Sequence, residues 1–81
     1  MKFNVDIRDF FSKFRVAFLE NCEIHYDGNS KELLINNSSE DRITFNDTKL
    51  ISIESNGFMY FSGYAKEADK ITKYKIVVGI K

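Results

Sequence analysis

IRDFFSKFRVAFLE, running from Ile7 to Glu20, sets the architecture expected for everything around it. Ile7, Phe10, Phe11, Phe14, Ala17 and Phe18 recur at i, i+3, i+4 and i+7. At helical pitch they fall within an arc of about 120°. Arg8, Ser12, Lys13 and Arg15 take the other side. Asp6 stands where a side-chain oxygen can accept from the free N–H groups of a first turn. Val5 and Phe10 occupy the positions of a hydrophobic staple. This spacing predicts an amphipathic helix over residues 7–20.

Working outward, the period changes after Asn21 from 3.6 to 2, as expected of strands with distinct faces. Cys22, Ile24 and Tyr26 alternate with Glu23, His25 and Asp27, and Asp27-Gly28-Asn29-Ser30 supplies turn residues that tolerate positive φ. A first hairpin with Glu32 to Asn36 as its second strand follows. Strands are then expected over Arg42 to Asn46, Lys49 to Glu54, Phe58 to Tyr64 and Ile71 to Ile80. Asn56-Gly57 is the strongest local hairpin signal. A two-residue loop there would pair Ser55 with Phe58, Ile53 with Tyr60 and Ile51 with Ser62. The expected fold class is thus α+β: one domain over residues 1–81, with the helix packed on an antiparallel meander of five to six strands over 22–80.

That architecture leaves apolar surface over. Ile51, Ile53, Phe58, Tyr60 and Tyr64 fall on one side of the Asn56-Gly57 hairpin, and Leu50, Met59 and Phe61 on the other. Antiparallel sheets in water usually bury one face only. A helix about 10 Å across cannot cover a sheet roughly 25 Å wide. Either the sheet curls into a partial barrel, or a second face is left for a partner.

Composition bounds the function. With 43% apolar and 30% charged residues the chain belongs with folded domains. Twelve bases balance twelve acids, so no global field draws the molecule to nucleic acid or an anionic membrane. The balance is uneven along the chain: residues 1–19 carry +2, 20–56 carry −5 and 57–81 carry +3. Cys22 is the one cysteine, which excludes an intramolecular disulfide and suits a reducing compartment. No apolar run approaches the roughly 18 residues of a membrane span, and cytoplasmic localisation is expected. Many Ile, Lys and Asn and no Pro suggest AT-rich coding, as in low-GC bacteria and their phages.

Specific chemistry is sparse. Cys22 and His25, three apart on a strand, point to opposite faces and make no nucleophile–base pair. Structural zinc needs about four ligands, more than these two provide. Asp27 to Lys31 resembles the start of a calcium loop, but Glu32 replaces its sixth-position Gly and Ser38 its twelfth-position Glu. Glu40 and Asp41 beside Arg42 read as a solvated charge cluster. No Gly-rich phosphate loop or dinucleotide fingerprint is present, so no cofactor and no enzymatic activity are expected. The meander from Asn21 to Ala65 loosely resembles small sporulation proteins of the YabP type in strand length and spacing. It lacks the glycines such proteins would place around Arg42 and Thr48, so no residue role follows.

Two binding surfaces remain as candidates. Leu50, Met59, Phe61 and Tyr74 suit a protein interface or homodimer, since aromatic and Met side chains with few charges nearby favour interface centres. On this reading the chain is a protein-binding module, an inhibitor or adaptor from a phage or mobile element. The alternative is single-stranded nucleic-acid binding, in which Lys73 and Lys75 neutralise phosphates and Tyr60 and Tyr64 stack bases.

Overall fold

The structure, a computed structural model, describes residues 1–38 and 41–80. Six strands run in sequence: β1 (Phe3–Asp9), β2 (Arg15–Asp27), β3 (Glu32–Asn36), β4 (Arg42–Ile53), β5 (Met59–Glu67) and β6 (Lys70–Ile80). Each pairs antiparallel with its neighbour, and β6 pairs back onto β1, closing the barrel. The α+β expectation is therefore corrected to an all-β meander, with no helix among the described residues.

The stretch expected to be helical is the β1–β2 hairpin. Ile7 and Ala17 are paired across the ladder and face inward, Phe10, Phe11 and Phe14 belong to the connecting turn, and Phe18 faces out beside Asp6. The apparent helical stripe is thus assembled from three environments. The turn forms because the Asp9 carboxylate accepts from the N–H groups of Phe11 and Ser12 at 3.0 and 2.8 Å, while Lys13 takes positive φ. Asp side chains favour such turns over helix interiors because they compete for nearby backbone N–H groups.

Closure depends on two bulges. In the first half of β2, Ala17 and Leu19 turn toward the core; beyond Asn21, Cys22, Ile24 and Tyr26 do. The extra residue, with Asn21 at φ 57°, changes the phase and bends β2 from β1 toward β3. Asp47, at φ 47°, does the same in β4, which leaves β3 and passes on to β5. Two strands expected at Arg42–Asn46 and Lys49–Glu54 are therefore one bent strand.

A six-stranded barrel has room only for side chains. Val5, Ile7, Cys22, Leu33, Ile35, Phe45, Phe61, Tyr74, Ile76 and Val78 fill it, with Thr48 also fully enclosed. Burying each large aliphatic or aromatic group stabilises the fold by about 1.5–3 kcal/mol. The rings meet edge to face, Phe45 on Tyr74 at 5.6 Å and Tyr26 on Phe61 at 5.3 Å. Tyr26 donates its hydroxyl proton to the Thr48 carbonyl at 2.8 Å, pinning the second bulge. Gly63 makes the close approach possible, because a Cβ there would lie 2.5 Å from Thr48 Oγ1 and 3.1 Å from the Phe45 Cβ.

The Asn56-Gly57 hairpin forms, but through three residues in place of two. Glu54 N–H donates to the Phe58 carbonyl at 2.8 Å and Gly57 adopts φ 90°. Three-residue loops of this kind require a left-handed residue at the last position. This pairs Ile53 with Met59 and Ser52 with Tyr60, one residue off the register expected from sequence, and a further irregularity between Leu50 and Ser52 shifts the rest of the ladder.

Candidate nucleic-acid interface

Antiparallel partners share a face, so the register places every outward side chain. Tyr60 lies opposite Val77, Ser62 opposite Lys75 and Tyr64 opposite Lys73 across β5 and β6. On the other side of β6, Val77 faces Asp6 and Lys75 faces Arg8. Phe10 continues the β1 row, its N–H donating to the Lys73 carbonyl at 3.0 Å. The outer wall of β1, β6 and β5 is consequently a grid in which rings and cations alternate. Lys73 Nζ stands 3.9 Å from the Phe10 ring centroid and 5.8 Å from that of Tyr64. Lys75 Nζ is 5.8 Å from Tyr60, and Lys13 Nζ reaches the Phe10 ring at 5.1 Å.

The lysines of this wall are not consumed internally, whereas its arginines are paired. Asp6 binds Arg8 through Nε at 3.2 Å and Arg15 through both Nε and a terminal nitrogen at 3.2 Å. Lys13, Lys73 and Lys75 enter no ion pair among the described residues. Exposed carboxylates outnumber bases around the second half of β2, β3 and the first half of β4, where Glu23, Asp27, Glu32, Asp41 and Asp47 stand among Lys31, Arg42 and Lys49. The balanced total charge conceals an uneven distribution, −5 over residues 20–56 and +3 over residues 57–81.

Tyr60, Tyr64, Lys73 and Lys75 are thus brought together. Leu50, Met59, Phe61 and Tyr74 form no outer surface: Phe61 and Tyr74 are 3% and 9% exposed inside the barrel and Met59 packs against that core. Leu50, at 39%, is the one of the four substantially exposed. These side chains point the same way along their strands, but that way is inward. Phe10 and Lys13 were missed by the sequence reading because they were assigned to a helix; Asp9 followed by Phe-Phe-Ser is the turn signal that could have placed them here.

Cys22 lies inside the barrel and His25 is exposed, on opposite faces of β2. Burial pushes the Cys22 thiol pKa up, against a smaller opposing effect of Lys2. No group of three or more His, Cys, Asp or Glu able to hold a metal occurs among the described residues, nor is there a helix long and apolar enough to cross a membrane. Glu40 and Lys81 lie outside the described residues.

The loop carrying Phe10 and Lys13 is coupled to pH through Asp9. Its carboxylate is held below the ordinary 3.8, first by the Ser12 backbone N–H and further by the Ser12 hydroxyl and the Phe11 N–H. A depressed carboxylate stabilises the fold above its unfolded pKa and ceases to do so as pH falls through the folded one. The amide resonances of Phe11 and Ser12 are therefore expected to titrate with a midpoint below 3.8, and Asp9→Ala to abolish that titration. Amides that stay fixed between about pH 5 and 2 would mean that the carboxylate does not hold the turn.

Fold and surface together define a small closed antiparallel β-barrel with one basic, aromatic wall. Compared with protein-family models, curated proteins and solved structures, the chain matches none.

Proposed function

We propose that this protein binds single-stranded nucleic acid across the outer wall of β1, β6 and β5. The observation that carries the reading is the alternation of Phe10, Tyr60 and Tyr64 with Lys13, Lys73 and Lys75 on one surface, each ammonium 3.9–5.8 Å from a ring centroid. Phosphates of a strand laid along the wall meet the ammonium groups, and its bases meet the rings. Only an unpaired strand offers those base faces, so a duplex is the poorer ligand. The excess of carboxylates around β3 disfavours nucleic acid there.

Fluorescence anisotropy with a labelled twelve-nucleotide oligothymidine, about 50 mM salt and a duplex of the same length tests the reading. Saturable binding of the single strand that weakens as salt rises is expected. Equal or tighter binding of the duplex, or none of either ligand, would remove the proposal.

A further inference from the structure

Between the β1–β2 loop and the β4–β5 end of the basic wall lies a groove of about 340 Å³, within the range of small-ligand clefts. Phe10, Tyr60, Lys13, Lys75, Ser52 and Glu54 line it, and Glu54, opposite Phe58 across the turn, shares the outward face of Ser52 and Tyr60. Glu54 is the informative member, since a carboxylate repels the phosphates that the rest of the wall attracts. Its presence makes sense where a base edge, and not the backbone, enters.

We infer that this groove holds one unstacked base and selects guanine, an inference that rests on the single-strand reading above. An ionised carboxylate is acceptor-only and takes two parallel N–H donors at once. Guanine alone among the bases presents such a pair on its Watson–Crick edge, N1–H beside the N2 amino group. Its O6 and N7 are acceptors, which suit the ammonium group of Lys13. Adenine turns the N1 acceptor toward the carboxylate. Cytosine offers one amino donor beside the N3 acceptor, and thymine a single N3–H between two carbonyls. Each leaves one carboxylate oxygen facing an acceptor or nothing. The backbone of Glu54 is fixed for this role by hydrogen bonds on both sides of the turn, its N–H to Phe58 and its carbonyl from Gly57.

The measurement is anisotropy with labelled oligothymidine carrying one central dG, dA or dC, alongside the unsubstituted strand, with 5′-GMP and 5′-AMP as competitors. The dG strand is expected to bind about tenfold more tightly than the other three, and Glu54→Gln to collapse that ratio toward one while the protein keeps its thermal midpoint. Displacement by GMP and not AMP shows that the free nucleotide is also accepted; a dG preference without displacement assigns guanine borne by a strand. Equal binding of all four strands by the unmodified protein overturns guanine selection and leaves the wall as a sequence-neutral site. A preference that survives Glu54→Gln overturns it as well. If no strand binds, the reading of the wall fails and this inference with it.

Discussion

Phe45→Ala is expected to destabilise the barrel by about 3–5 kcal/mol, measured by chemical denaturation. Phe45 is almost fully enclosed. It sits opposite Leu33 in the β3–β4 ladder, meets Tyr74 edge to face and lies against the bare Cα of Gly63. Removing the ring leaves a cavity surrounded by strands on a closed hydrogen-bonded circuit, which cannot collapse inward without breaking ladders. A chain of 81 residues has a total stability of only about 4–12 kcal/mol, so the variant should lose a large fraction of it and unfold at a much lower denaturant concentration than the parent. Phe18 faces outward beside Asp6 under the Arg15 guanidinium, and Phe18→Ala should cost less than about 1 kcal/mol. Similar losses from the two substitutions would show that the assignment of inside and outside is wrong.

The largest effect on binding should come from Tyr60 and Tyr64. Stacking is worth about 1–3 kcal/mol per base, so Tyr60→Ala with Tyr64→Ala should weaken oligothymidine binding by about thirtyfold or more. Lys73→Gln with Lys75→Gln should also weaken it, but with a different signature. Losing two phosphate contacts lowers the slope of log affinity against log salt by about 1.4, whereas the tyrosine pair leaves that slope in place. All four residues are half-buried on the outer face and fill none of the core, so the folded protein should persist in both variants. If both variants bind as the parent does, the strand lies elsewhere.

Much of the sheet could be read from the residues. The strand Glu32–Asn36, the turn after Asp27 and the shared face of Tyr74, Ile76, Val78 and Ile80 follow directly from period-2 alternation, the first three of that row being buried and Ile80 exposed. What failed was local. Ile7 to Glu20 mimics a helical period because a turn rich in Phe separates two strands whose inward residues are out of phase, and periodicity alone does not report which apolar groups are wet. The same limit left the burial of Phe61, and the packing of Met59 against the core, unread. Their exclusion from water depends on β6 returning to β1, a contact between the two ends of the sequence that no local pattern encodes. Tyr60, Tyr64, Lys73 and Lys75 were legible together because they lie on adjacent strands joined by a short turn. Phe10 and Lys13 arrive from the far end of the chain through that same closure.

The return of β6 onto β1 also bears on how the molecule meets others. Each strand has a neighbour on both sides, and the bent strands divide theirs along their length, Arg15–Cys22 of β2 pairing with β1 and Glu23–Asp27 with β3. Detaching β1 would bare β2 and β6 simultaneously, turning a self-contained ring into an open ribbon with two adhesive margins.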